Sequence, residues 1–220
     1  FVRDVEPGEI VTIVDGQIYS DWIYHAPVKS RCIFEYIYFA RTDSIIDGQS
    51  VYSSRVRAGS ILAEKYPVDA DLVIGVPESG LAAAVGYSQG SNIPYGMAFY
   101  KNSYVGRTFI KPKQNERTAG VQAKLNVIRD VVKGKRVVMV DDSIVRGTTI
   151  RNIVKMLKDA GALEVHVRIS SPPFKHPCYY GTDVPSSENL VAVNNTIDEI
   201  KESINADSLG FLDKEDLGQL

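Results

Sequence analysis

At 220 residues, 44% hydrophobic and 24% charged, the chain is long enough to bury a substantial core as one main domain. Its net charge of -2 and sequence pI near 6.0 exclude the bulk positive field that holds nucleic acid or an anionic membrane, so a polyphosphate ligand would need local positive charge or a metal. No stretch reaches the roughly 20 consecutive apolar residues of a membrane span, and residues 1–6 lack the basic-then-apolar order of a signal peptide, so a cytoplasmic protein is expected.

Residues 9–22 alternate in polarity around Asp15-Gly16, which predicts a tight hairpin that reads as an appendage. After Pro27 the character changes. Residues 32–39, aromatic and β-branched, predict a strand leading into a polar loop at 42–49, where the main domain begins. Apolar runs then alternate with helical patterns: 72–76, a helix at 81–89, 95–100, a helix at 119–132, 137–140 and a helix at 148–160. Val121, Leu125, Ile128 and Val132 form the stripe of the second helix; Ile150, Ile153, Val154 and Leu157 form that of the third, with Gly161 as its stop. Residues 164–170 alternate as a further strand, ended by Pro172-Pro173. The fold class this predicts is α/β, a mostly parallel sheet flanked by helices.

The strand at 137–140 runs into Asp141, Asp142, Ser143, Ile144, Val145, Arg146, Gly147, Thr148 and Thr149, and then a helix. Open α/β sheets bind ligands at the carboxyl ends of their strands, and a helix start offers unpaired N–H groups to an anion. Gly147 permits close backbone approach, Ser143, Thr148 and Thr149 add hydroxyls, and Arg146 adds charge. Taken singly, the aspartates read as solvated loop residues and Thr148 as a helix cap. Together they form one continuous loop able to hold a phosphate at the helix end and a diol against the carboxylates, which describes a ribose 5-phosphate.

A second strand-to-helix turn carries Glu78, Ser79 and Gly80. Between positions 101 and 117, Lys101, Arg107, Lys111, Lys113 and Arg117 face a single acid, Glu116, and supply the local positive charge the whole chain lacks. His25, His166 and His176 are widely spread, and His166 reads as a packed or surface residue, so no histidine base is assigned. Cys32 and Cys178 read as reduced thiols, packed in the fold or ligating a metal or cluster. Neither a P-loop nor a G-x-G-x-x-G motif occurs.

The string from Val138 to Thr149 resembles the signature of the phosphoribosyltransferases. Residues 31–41, 104–110 and 170–173, with His176, Pro177 and Cys178, are similar to the amidophosphoribosyltransferase family, which starts purine synthesis from glutamine. The resemblance implies a type I phosphoribosyltransferase fold and transfer of the phosphoribosyl group of phosphoribosyl pyrophosphate to ammonia. It places Lys101, Tyr104 and Arg107 as catalytic residues on a closing loop, and the turn at Glu78, Ser79 and Gly80 against pyrophosphate. Asp141, Asp142, Ser143, Arg146, Gly147, Thr148 and Thr149 contact substrate, with Ser79, Asp141 and Asp142 around magnesium. It also implies a homotetramer and inhibition by purine nucleotides. Cys32 and Cys178 match two of the four ligands of a [4Fe–4S] cluster in one branch of the family; the other two come from a Cys-x-x-Cys pair that this chain lacks, so a cluster is expected only in a longer chain. The family begins with a glutaminase domain, so residues 1–27 are expected to be its remnant and 28–220 the transferase domain. Two other functions remain open, a salvage transferase acting on a purine or pyrimidine base and a phosphoribosyl pyrophosphate-sensing regulator without turnover.

Overall fold

The computed structural model describes residues 3–23, 30–102, 125–182, 184 and 186–220. The chain divides into two compact units, Phe1–Ile33 and Phe34–Leu220. In the first, β1 (Glu9–Val14) pairs antiparallel with β2 (Gln17–Trp22), Val14 standing opposite Gln17. Asp15 and Gly16 both take positive φ, 49° and 76°, the twist that suits a two-residue hairpin turn. Glu9 anchors the hairpin's entry by accepting from both Arg3 Nη atoms, at 2.8 and 2.5 Å, and from Glu6 N. These bonds, that from Arg3 foremost, hold its carboxyl down at about 2.

The second unit opens with a π-helical turn, Glu35–Phe39, where a strand was expected over 32–39. The carbonyls here find a guanidinium instead of a neighbouring strand. Arg55, 3% exposed, donates through Nε to Tyr36 O (2.8 Å), through Nη2 to Ala40 O (2.8 Å) and through Nη1 to Thr42 Oγ1 (3.0 Å). The aromatic content serves side-chain packing rather than a pleat: Phe34 meets Phe39 at 5.8 Å between centroids and Phe174 edge-on at 5.3 Å. A miniature hairpin of β3 (Ile45–Ile46) and β4 (Gln49–Ser50) replaces much of the polar loop expected over 42–49 and runs one residue past it.

Helix α1 (Val51–Lys65) follows, capped by Ser50, whose Oγ accepts from Ser53 N. The main sheet is parallel throughout, in the order β10, β9, β8, β5: Ser208–Phe211, Glu164–Ile169, Arg136–Asp141 and Leu72–Gly75. Covered on both faces, β8 reads as a continuous apolar run in sequence. Leu72, Ile74, Val137, Met139, Val165, Val167 and Ile169 face one core with Ile150, Ile153, Val154 and Leu157 of α4 (Thr148–Asp159). Val73, Val138 and Val140 face the other, against Ala58, Leu62, Ala83, Ala84 and Tyr87 of α1 and α2 (Gly80–Ser91). Helices α1 and α2 touch through backbone: a Cβ at Gly59 would lie 1.8 Å from Ala83 O, and one at Gly86 would lie 1.8 Å from Val56 O.

The helix expected over 119–132 is overturned where residues are described. Leu125–Val127 forms β7, paired antiparallel with β6 (Phe99–Lys101), and the helical part shrinks to α3 (Arg129–Val132). Three residues that close a ladder at Lys101 outweigh a periodic stripe of which β7 still buries Leu125 and α3 buries Val132. The chain ends with α5 (Val191–Asn194), α6 (Ile197–Ile204) and a 3-10 helix, Lys214–Gln219; α6 starts in a capping box of Thr196 and Glu199. No helix among the described residues is long and apolar enough to cross a membrane.

Candidate functional site

Strands β5, β8 and β9 finish side by side. Val76 N donates to Val140 O and Ser170 N to Asp141 O, each at 2.9 Å, so the ladder continues to the last residue of β8. The turn after β5, with a cis peptide between Pro77 and Glu78, and the loop after β8 therefore emerge at the same carboxyl edge. Gly80 presses the first turn onto β8: a Cβ there would stand 2.6 Å from Val140 O and 3.2 Å from Asp141 Cα.

That approach lets Ser79 Oγ donate to Asp142 Oδ2 at 2.5 Å, while Ser143 Oγ donates to Asp142 Oδ1 at 2.5 Å and Asp142 N to Asp141 Oδ1 at 2.9 Å. Asp142 is buried and Asp141 half-buried. Loss of water pushes both carboxyls up, Asp141 well above the usual range with the Asp142 charge adding to it. Hydrogen bonds from Ser143 and Ser79, and the field of Arg55, pull Asp142 partly back. These are carboxylates placed to receive a cation or hydroxyl groups.

The loop is pinned by buried Ile144 and by Val191 N, which donates to Val145 O at 2.9 Å. Gly147, at φ 77°, turns the chain into α4, which opens without a side-chain cap. The first N–H groups of α4 are thus available to an anion, with the side chains of Arg146, Thr148 and Thr149 exposed beside them. From β6, Lys101 Nζ reaches Glu78 Oε1 at 2.8 Å. The expected site residues Glu78, Ser79, Gly80, Lys101, Asp141, Asp142, Ser143, Arg146, Gly147, Thr148 and Thr149 thus all belong to one edge of the sheet or the strand beside it. Tyr104 and Arg107, like Lys111, Lys113, Glu116 and Arg117, lie outside the described residues.

Sequence reasoning missed Arg55. Its signal was a lone base among the residues that α1 buries, Val51, Ser54, Ala58 and Leu62, where a solvated arginine would not stand. His166 is packed as expected, between Ser208 Oγ (3.0 Å) and Glu164 Oε2 (2.9 Å). Cys32 is exposed rather than packed, in the first unit; Cys178 is half-buried in the second, and neither is in a disulfide. Thr182 N and Tyr180 N point at Cys178 Sγ and bring its thiol down to about 7.

For a metal, the donors are hard oxygens: two carboxylates and the hydroxyl of Ser79. Among the described residues no cluster of three or more His, Cys, Asp or Glu could hold an ion by itself. The set fits magnesium, which takes one or two carboxylates and completes its shell with water and substrate phosphates.

A parallel sheet whose central strand ends in paired carboxylates and a glycine-opened helix defines a type I phosphoribosyltransferase domain, and residues 50–179 match the family model for the phosphoribosyl transferase domain. Over 217 residues the chain is 54% identical to the amidophosphoribosyltransferase of Archaeoglobus fulgidus, covering 99% of this chain and 48% of that one. It is 52% identical to the Bacillus subtilis amidophosphoribosyltransferase over 217 residues, 99% of this chain and 46% of that one. The solved structure of glutamine phosphoribosylpyrophosphate amidotransferase from Bacillus subtilis, complexed with ADP and GMP, superposes with a TM-score of 0.86 at 53% identity, covering 98% of this chain and 48% of that one. The chain belongs to the amidophosphoribosyltransferase family, and it spans about half the length of the relatives it matches.

Proposed function

We propose that this chain binds phosphoribosyl pyrophosphate and transfers its phosphoribosyl group to ammonia, giving 5-phosphoribosylamine and pyrophosphate, the step that opens purine synthesis. The observation that carries this reading is the unbroken path from Asp141 and Asp142 through Gly147 to the uncapped start of α4. The N–H groups of α4, with Thr148, Thr149 and Arg146, hold the 5-phosphate; the carboxylates of Asp141 and Asp142 face the ribose hydroxyls. Residues Ser79, Asp141 and Asp142 would hold magnesium, which when bound offsets negative charge on the pyrophosphate.

As the bond from ribose C1 to pyrophosphate lengthens, negative charge gathers on the leaving group and positive charge on the sugar. The carboxylates stabilise the second, and Lys101, freed from Glu78, the first. The β5–α2 turn, held by Gly80 on β8, fixes the distance between these charges. Ammonia attacks the opposite face and loses a proton to solvent, so no histidine base is needed.

The two strings at 31–41 and 104–110 favour ammonia over a purine or pyrimidine base. Extending the relatives to this chain, we take it to act in the cytoplasm as part of a glutamine-using homotetramer that binds purine nucleotides. The test is pyrophosphate release from phosphoribosyl pyrophosphate and magnesium at mildly alkaline pH. Release that depends on ammonium supports the reading; release only with a free base makes the chain a salvage transferase, and binding without release makes it a sensor.

A further inference from the structure

Glu78 stands in the turn assigned above to pyrophosphate, where a carboxylate has the wrong sign for a polyanion unless a cation engages it. The turn around it is fixed: Ser79 is tied to Asp142, and Gly80 lies flush on β8. The Glu78 side chain is the free part, 74% exposed, and its Oε1 sits 2.8 Å from Lys101 Nζ, whose own side chain is 33% exposed. A basic side chain aimed at the pyrophosphate turn is therefore already occupied by an acid of that same turn.

We propose that Glu78 is a positioning residue that holds Lys101 in place and is displaced from it by the pyrophosphate group of the substrate, so that Glu78 weakens pyrophosphate binding and speeds its departure as product. The inference rests on the phosphoribosyl pyrophosphate reading. An exposed carboxylate–ammonium pair is weak and easily exchanged. Pyrophosphate brings more charge and more acceptor oxygens to the same ammonium, so exchange favours the ligand. When the product leaves, Glu78 recaptures Lys101 and competes with rebinding. Had Glu78 instead been a ligand of magnesium, its removal would act with the opposite sign.

The experiment titrates inorganic pyrophosphate, with magnesium, into the chain and its Glu78→Gln, Lys101→Met and doubly substituted variants by calorimetry. Glu78→Gln should tighten binding by about threefold to fivefold, the range an exposed pair allows. Lys101→Met should weaken it, and adding Glu78→Gln to that variant should change binding by roughly twofold or less, because the effect runs through Lys101. Weaker binding in Glu78→Gln, or a raised magnesium requirement, overturns the proposal while leaving the substrate reading in place. Equal tightening with and without Lys101 overturns it too, since the charge would then act directly on the ligand. A wild-type chain that binds no pyrophosphate overturns the substrate reading and this inference together.

Discussion

Replacing Gly80 with alanine places a methyl group where the structure has no room for one. The added carbon would stand 2.6 Å from Val140 O and 3.2 Å from Asp141 Cα, both backbone atoms of β8. Neither can retreat, because Val140 O accepts from Val76 N and Asp141 O from Ser170 N. The turn must lift by roughly 0.8 Å to restore ordinary contact, and overpacking of this kind costs about 1–3 kcal/mol, offset in small part by alanine's better helix propensity. In a domain of this size a net loss of about 1–2 kcal/mol lowers Tm by roughly 2–8 °C. The effect on function should be larger: the same lift weakens the 2.5 Å bond from Ser79 to Asp142 by stretching it, and a misplacement near 1 Å costs about a hundredfold in rate. Calorimetric melting and ammonium-dependent pyrophosphate release read the two effects. A Gly80→Ala variant with unchanged turnover would refute the argument that this close approach sets the site's geometry.

Other perturbations probe separate parts of the site and the fold. Asp142→Asn removes a buried, desolvated charge while keeping the shape, so ammonium-dependent turnover should fall at least about tenfold with Tm unchanged or slightly raised; a large drop in Tm would make the residue structural. Arg55→Met leaves the Tyr36 and Ala40 carbonyls without their donor, and urea unfolding should show a loss of about 2–4 kcal/mol. Asp71 is held down to about 2 by hydrogen bonds from the Arg136 side chain and then its backbone N–H.

That depressed value sets a pH window. A carboxyl that is more acidic in the folded chain contributes stability above its unfolded pKa of about 4 and loses it as pH falls through about 2. The Tm gap between wild type and Asp71→Asn should therefore be constant above pH ~5, shrink below pH ~4 and narrow further at high salt. A gap that persists undiminished at pH 2 contradicts the pairing.

The parallel sheet and the helix after it were legible because β8 and α4 obey their periods over whole elements and Gly147 marks the break between them. The loop was legible because its chemistry is contiguous in sequence. What stayed hidden depends on partners far along the chain. The 32–39 segment has strand composition, yet Arg55 draws its carbonyls into a π-helical turn. The stripe at Leu125 to Val132 is compatible with a helix, yet Phe99–Lys101 supplies a ladder for β7. Helix α1 escaped notice because its buried face mixes Val51, Ile61 and Leu62 with small or polar Ser54, Arg55, Ala58, Gly59 and Ala63, which suits close contact with α2 but blurs the hydrophobic contrast. The bond between Ser79 and Asp142, and that between Glu78 and Lys101, join segments that no spacing rule connects.

The loop between β8 and α4 is the proposed seat of phosphoribosyl pyrophosphate. Its most direct test is calorimetric titration of that compound into the wild-type chain and into Asp142→Asn, with and without magnesium. Binding to wild type should depend on magnesium and be weakened at least about tenfold in the variant. Equal affinity in both proteins would contradict it.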